Sequence, residues 1–187
     1  MKRDYLIWIL LFFTPFWLGL CMLVGPTKIS ISDLSLDIVQ AVLYLRLSRV
    51  LAGFIVGAAL SCSGVVLQAL MRNPLAEPYI LGVSGGAGLG AALAIVSGIS
   101  AISILILPAT AFLGGIVTLT IVYFMAWHQR STSIYTLLLS GVIVSSVCAS
   151  LIMLVISLAP VEGLHSITWW MLGNLQVMSS GLLVTSA

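Results

Sequence analysis

LRLSRVLAGFIVGAALSCSGVVLQALMRNPLAEPYILGVSGGAGLGA, residues 45–91, decides the fold. Arg46 and Arg49, three apart, precede an uninterrupted apolar run over 50–71. At about 1.5 Å per helical residue that run is long enough to cross a hydrocarbon core of roughly 30 Å. It stops at Arg72-Asn73-Pro74-Leu75-Ala76-Glu77-Pro78. Two prolines four apart remove backbone donors and crowd the preceding turn, so no helix continues through them. A second apolar segment follows, in which Gly82, Gly86, Gly90, Ala94 and Gly98 recur every four residues. That spacing lines one helical face with small side chains, on which another helix can approach closely in lipid.

The composition agrees with a membrane protein. Of the 187 residues, 61% are hydrophobic and 6% charged, with a mean hydropathy of +1.24; soluble domains carry about 25% charged residues. A soluble globule is excluded. The net charge of +2 comes from singly scattered residues, with no basic run to track a phosphate backbone, which excludes nucleic acid as a partner. Cys21, Cys62 and Cys148 lie in apolar runs without zinc or redox spacing, and are expected as small buried hydrophobes. No metal ligand set is expected.

Five apolar runs approach spanning length, at about 5–24, 50–71, 80–97, 102–127 and 135–159. Lys2 and Arg3 before the first suggest a signal peptide, but its apolar core is too long and lacks a small-residue cleavage site, so a retained span is expected. It contains Pro15 and ends at Gly25-Pro26. Residues 27–44 turn polar, and Ser32 or Asp33 is positioned to cap a short amphipathic helix over 34–45. In the second span Gly53, Gly57, Ser61 and Gly64 form another small-residue face, and Gln68 is expected to face protein or a cavity. The third span is short and glycine-rich, hence an interior helix, with Ser84 as its candidate cap. A tight turn over 97–100 precedes span four, and the polar connector 127–133 precedes span five. The loop 159–165, carrying His165, leads to an aromatic interfacial helix over 167–175. A sixth span starts at Met178.

The chain resembles the permease subunits of bacterial ATP-binding-cassette importers for iron-siderophores, haem and vitamin B12. Their motifs L-R-x-P-R, G-A-x-L-x-x-x-G-x-x-x-Q and N-P-L-A-x-P-x-x-L-G correspond here to Leu45-Arg46-Leu47-Ser48-Arg49, to Gly57-Ala58-Ala59-Leu60 with Gly64 and Gln68, and to Asn73-Pro74-Leu75-Ala76-Glu77-Pro78 with Leu81-Gly82. Ser48 stands where the family has proline, which makes the turn presenting the arginines less rigid. The resemblance implies an all-α polytopic membrane protein with about five transmembrane helices and the start of a sixth, the N-terminal half of a roughly ten-helix permease. Residues 1–187 would be one transmembrane domain, incomplete at its C-terminus. The family's L-G-E-x-A-x-x-L-G coupling element follows span six, so these residues alone are expected not to couple ATP hydrolysis to transport.

The resemblance also implies partners: a second permease subunit, identical or related, a cytoplasmic ATPase dimer, a periplasmic or lipid-anchored substrate-binding protein, and membrane lipid. No cofactor is bound by this subunit; ATP is used by the partner ATPase. Placement in the bacterial inner membrane with a cytoplasmic N-terminus puts Lys2, Arg3, Arg72 and Arg130 inside and Lys28, Arg46 and Arg49 outside, weakly in line with the positive-inside rule.

Each candidate site has a plain alternative. Arg46 and Arg49 suit interfacial anchoring by snorkelling, whereas the resemblance implies docking of carboxylates on the binding protein, which the planar guanidinium favours. Arg72, Asn73, Pro74, Glu77 and Pro78 form either a simple turn with an Arg72–Glu77 pair or part of the cytoplasmic vestibule beside the ATPase. Ser131, Thr132, Ser133 and Thr136 resemble the inner gate of the pathway, although hydroxyls there also cap helices. Gly82-Val83-Ser84-Gly85-Gly86 matches the G-x-S-x-G of a nucleophile elbow and the G-x-S-G of rhomboid-type proteases. His128 at a span end and His165 in a loop are badly placed to serve that serine. A dinucleotide fingerprint from Gly86 and Gly88 fails for want of a preceding strand and a following acid. The expected function is therefore a non-catalytic permease subunit importing a metal chelate. The alternatives are a non-transporting fragment acting as an assembly partner and, remotely, an intramembrane serine protease.

Overall fold

The computed structural model describes residues 2–25, 37–128, 133–173 and 175, and all its described regular structure is helical. Among the described residues six α-helices follow in order: α1 Lys2–Leu23, α2 Asp37–Met71, α3 Val83–Val96, α4 Ile106–His128, α5 Ile134–Leu158 and α6 Val161–Leu172. Short 3-10 helices at Pro78–Leu81 and Ile99–Ala101 flank α3. The chain divides into two compact units, residues 1–59 with 175–187, and residues 60–174.

Among the described residues three stretches are long and apolar enough to cross a membrane: Val42–Met71, Ile106–Trp127 and Ile134–Leu158. The first spans 30 residues, or about 45 Å, against a hydrocarbon core of roughly 30 Å. Ile7–Leu23 and Val83–Val96 are shorter apolar helices. Together these are the five apolar segments expected.

In the first unit α1 exposes Trp8, Phe12, Phe16 and Trp17, aromatic and apolar side chains suited to lipid. Pro15 lies inside this helix and deprives the carbonyl four residues back of its donor. Thr14 Oγ1 donates to the Leu10 carbonyl at 2.7 Å. Gly53 on α2 lies within ordinary contact range of Leu175.

The core of the second unit is α3 against α4 and α5. Ala91, Ala92 and Ala94 are buried on α3, and Val122, Val144 and Cys148 form the adjoining hydrophobic cluster. Gly86 and Gly90 lie so close to α4 that a methyl on either would collide, with Thr118 and the Gly114 carbonyl at the first and the Thr110 carbonyl at the second. Gly82, at φ 80°, lies 3.2 Å, measured from an added Cβ, from both the Gly141 carbonyl and Ser145 Oγ on α5. Its N–H donates to the Tyr79 carbonyl, joining the 3-10 turn to α3. Thr118 Oγ1 bonds back to the Gly114 and Gly115 carbonyls of its own helix, so the seam holds no orphaned hydroxyl there.

Several expectations are corrected. The amphipathic segment and span two are one helix, because α2 starts at Asp37 and runs through Ser48, which retains an N–H and bonds its Oγ to the Tyr44 carbonyl at 3.0 Å. Arg46 and Arg49 are thus on a helix and not on a turn. Gly82, not Ser84, is the N-cap of α3, since its left-handed backbone reverses the chain out of the 3-10 turn. Span four begins at Ile106, after the second 3-10 turn. His165 belongs to α6, which starts directly after an extended Pro160. Cys21 and Cys62 are exposed while Cys148 is buried. A methyl at Gly57 or Gly64 would meet no heavy atom of the described residues within 4 Å. Lys28, Ser32, Asp33, Arg130, Ser131, Thr132, Asn174 and the segment from Met178 lie outside the described residues.

Candidate functional site

The arginine end of α2 is built from a contact with α1. Arg46 Nη1 donates to the carbonyls of Met22 at 2.9 Å and Leu23 at 3.2 Å. These are among the last carbonyls of α1, which have no donor within their own helix. Arg46 is half-buried, while Arg49 is exposed and bonds to no described residue.

The other end of α2 closes in a six-residue Schellman motif. Asn73 N–H donates to the Gln68 carbonyl at 3.2 Å and Arg72 N–H to the Ala69 carbonyl at 3.4 Å. Arg72 fills the left-handed position at φ 48°, the only non-glycine residue with positive φ among those described. Asn73 Oδ1 accepts from Leu75 N–H at 2.9 Å, and Ala76 N–H donates to the Asn73 carbonyl at 3.1 Å. Pro74 follows in the turn, and Pro78 opens the 3-10 helix behind an extended Glu77. Among the described residues no ion pair joins Arg72 to Glu77, both of which are exposed. Asn73 holds this turn; the Arg72–Glu77 pair does not.

At the start of α5, Ser133 is the N-cap. Its Oγ accepts from Thr136 N–H at 3.2 Å and lies 2.8 Å from Thr136 Oγ1. Of the four gate candidates these two meet as a cap. Ser84 lines a cavity of about 410 Å³ with Tyr79, Ser145, Met153 and Trp170. Among the described residues no histidine, carboxylate or lysine lines that cavity.

The glycine-rich face of α3 was legible from its four-residue spacing, and Gly82, Gly86 and Gly90 do sit at close helix contacts. The opposing surface was missed. Thr110, Gly114 and Thr118 repeat the same spacing on α4, and Gly141 and Ser145 repeat it on α5. That repetition was the available signal.

The FecCD transport family model matches residues 9–187. Vitamin B12 import system permease proteins BtuC from Escherichia coli O1:K1 / APEC and from Shigella boydii serotype 18 are each 40% identical over 130 residues, covering 70% of this chain and 39% of theirs. A solved structure of a metal-chelate type ABC transporter in an inward-facing conformation superposes with a TM-score of 0.73 at 32% identity, over 90% of this chain and 56% of the other. The chain spans well under two thirds of the length of each of these relatives.

Proposed function

The chain belongs to the FecCD transport family, and from that premise we propose that it forms part of the permease subunit of an ATP-binding-cassette importer carrying a metal chelate across the bacterial inner membrane. The family match over residues 9–187 is the observation that supports this reading. The substrate class comprises cobalamin, haem and iron-siderophores. Cobalamin is the first to test, because the relatives at 40% identity are vitamin B12 permeases.

In this reading the subunit hydrolyses nothing. A cytoplasmic ATPase dimer uses ATP, a second permease subunit completes the pathway, and a substrate-binding protein delivers the chelate to the outer face. The work of the chain is to stabilise inward and outward states unequally. With the N-terminus in the cytoplasm, α2 presents Arg46 and Arg49 outside and the Arg72–Pro78 turn inside. That turn then belongs to the vestibule beside the ATPase, and Ser133 and Thr136 border the inner gate. Crossing segments that bury glycine seams and expose apolar side chains suit such a bundle.

The test is ATP-dependent uptake by the assembled transporter in proteoliposomes, offered cyanocobalamin, haemin and a ferric hydroxamate in turn. Accumulation of one of the three is expected. An assembled, ATP-hydrolysing complex that accumulates none of them would refute the reading.

A further inference from the structure

We propose that the cavity at the shared end of α2, α4 and α5 takes one acyl chain of an anionic phospholipid, whose headgroup phosphate is held by Arg72. Which leaflet supplies the lipid rests on the importer reading above; the site itself does not.

The cavity measures about 550 Å³ and lies wholly within residues 60–174. Leu70 and Met71 from the last turn of α2, Leu119 and Tyr123 from α4, and Ile134 and Leu137 from the start of α5 line it. Its volume suits a ligand site, for which about 300–1,000 Å³ is usual. Thr120 is also in the wall, but its Oγ1 already donates to the Ile116 carbonyl at 2.8 Å. Of the lining side chains only Tyr123 carries another hydroxyl, and none carries a charge. Water would find too few partners in such a space, whereas hydrocarbon matches it.

Depth and charge identify the hydrocarbon. α2 ends at Met71 and α5 begins at Ile134, so the cavity lies where the spans leave the acyl region. Tyr123 and Trp127, with ring centroids 5.7 Å apart, stand at the same end of α4, the interfacial level that such rings favour. Arg72 follows the lining Met71 directly and turns the chain out of the helix at φ 48°. It is exposed, and its guanidinium makes no hydrogen bond or ion pair with any described residue. A planar guanidinium grips phosphate through two donors, and a cation beside an apolar cleft between spans selects anionic headgroups. A zwitterionic lipid offers the same phosphate, but its own ammonium offsets the attraction. In the importer reading Arg72 faces the cytoplasmic leaflet, the one that carries anionic lipid.

The chain, purified from its membrane with whatever subunits accompany it, is stripped of lipid and transferred to micelles holding equal phosphatidylglycerol and phosphatidylcholine. Native mass spectrometry then counts the lipid that remains bound. Retention of one lipid is expected, with phosphatidylglycerol preferred about 5-fold and the preference falling as salt rises. Arg72→Gln keeps the Cβ and the backbone conformation but should reduce the preference to within about 2-fold, while Arg72→Lys should keep most of it. Leu119→Trp fills the cavity and should lose both lipids, its melting temperature in lipid-free detergent showing that it is folded. Inorganic phosphate alone should neither displace the lipid nor raise the melting temperature. Equal retention of the two lipids by the unaltered protein overturns the proposal, as does a preference that survives Arg72→Gln or undiminished binding to folded Leu119→Trp. Retention of no lipid by the unaltered protein overturns it too, since another protein segment then fills the cavity. Uptake is not read here, so a protein that holds the lipid yet imports none of the three chelates refutes the importer reading alone.

Discussion

Arg72 holds a backbone conformation that L-residues with a Cβ adopt at a cost of about 1–2 kcal/mol. Its φ of 48° completes the Schellman closure of α2, a position usually filled by glycine. Arg72→Gly is therefore expected to stabilise the fold by about 1 kcal/mol, seen as a higher melting temperature in detergent. Asn73→Ala removes the acceptor for Leu75 N–H and is expected to cost about 1 kcal/mol in the same assay. Ser133→Ala, which uncaps α5, should cost a similar amount, about 1 kcal/mol. Residues of this kind differ in how far the sequence reveals them. The break at Pro74 and Pro78 was readable because proline acts on its immediate neighbours. The partner of Arg46 was not, because its acceptors are backbone carbonyls 24 and 23 positions away, and any residue there would carry them.

Helices were legible to the extent that hydrophobicity alone defines them. The five apolar segments emerged as runs, but the ends of α2 and α6 did not. α2 starts thirteen residues before its apolar run, at Asp37, since residues 37–49, punctuated by Asp37, Gln40, Arg46, Ser48 and Arg49, satisfy their backbone in the same helix. α6 begins at Val161, where an extended Pro160 makes an ordinary helix start that looks like a loop from composition. The seam between α3 and α4 yields the sharpest prediction at this scale. Gly86→Leu or Gly114→Leu drives a side chain into the facing backbone and should destabilise by well over 3 kcal/mol, or prevent folding altogether. Gly64→Ala meets open space and should stay within about 0.5 kcal/mol. Denaturation of the detergent-solubilised chain, followed by circular dichroism, distinguishes the two classes; equal losses would show that the seam is not where the close contacts lie.

For the whole molecule, both units expose large apolar side chains, as expected where the surrounding solvent is lipid. The cysteines turn that surface into a measurement. In the detergent-solubilised chain Cys21 and Cys62 should react readily with a small maleimide and Cys148 slowly, following their exposure. Protection of Cys62 on assembly would place a partner helix on α2. Family membership was legible from short motifs that fix backbone breaks and glycine contacts, whereas the identity of the transported chelate depends on residues that no such motif contains. The length of α2 has a further consequence. Its charge-free run over 50–71 measures about 33 Å, a surplus of about 3 Å over a hydrocarbon core of roughly 30 Å, and the part of the span that carries Arg46 and Arg49 has to be left standing in the headgroups. Lipids of increasing acyl-chain length would absorb that surplus one methylene layer at a time, until the guanidinium of Arg49 met the tails. The bilayer thus acts as a ruler laid along α2, and the lipid length at which activity falls would mark where the first charge is cut.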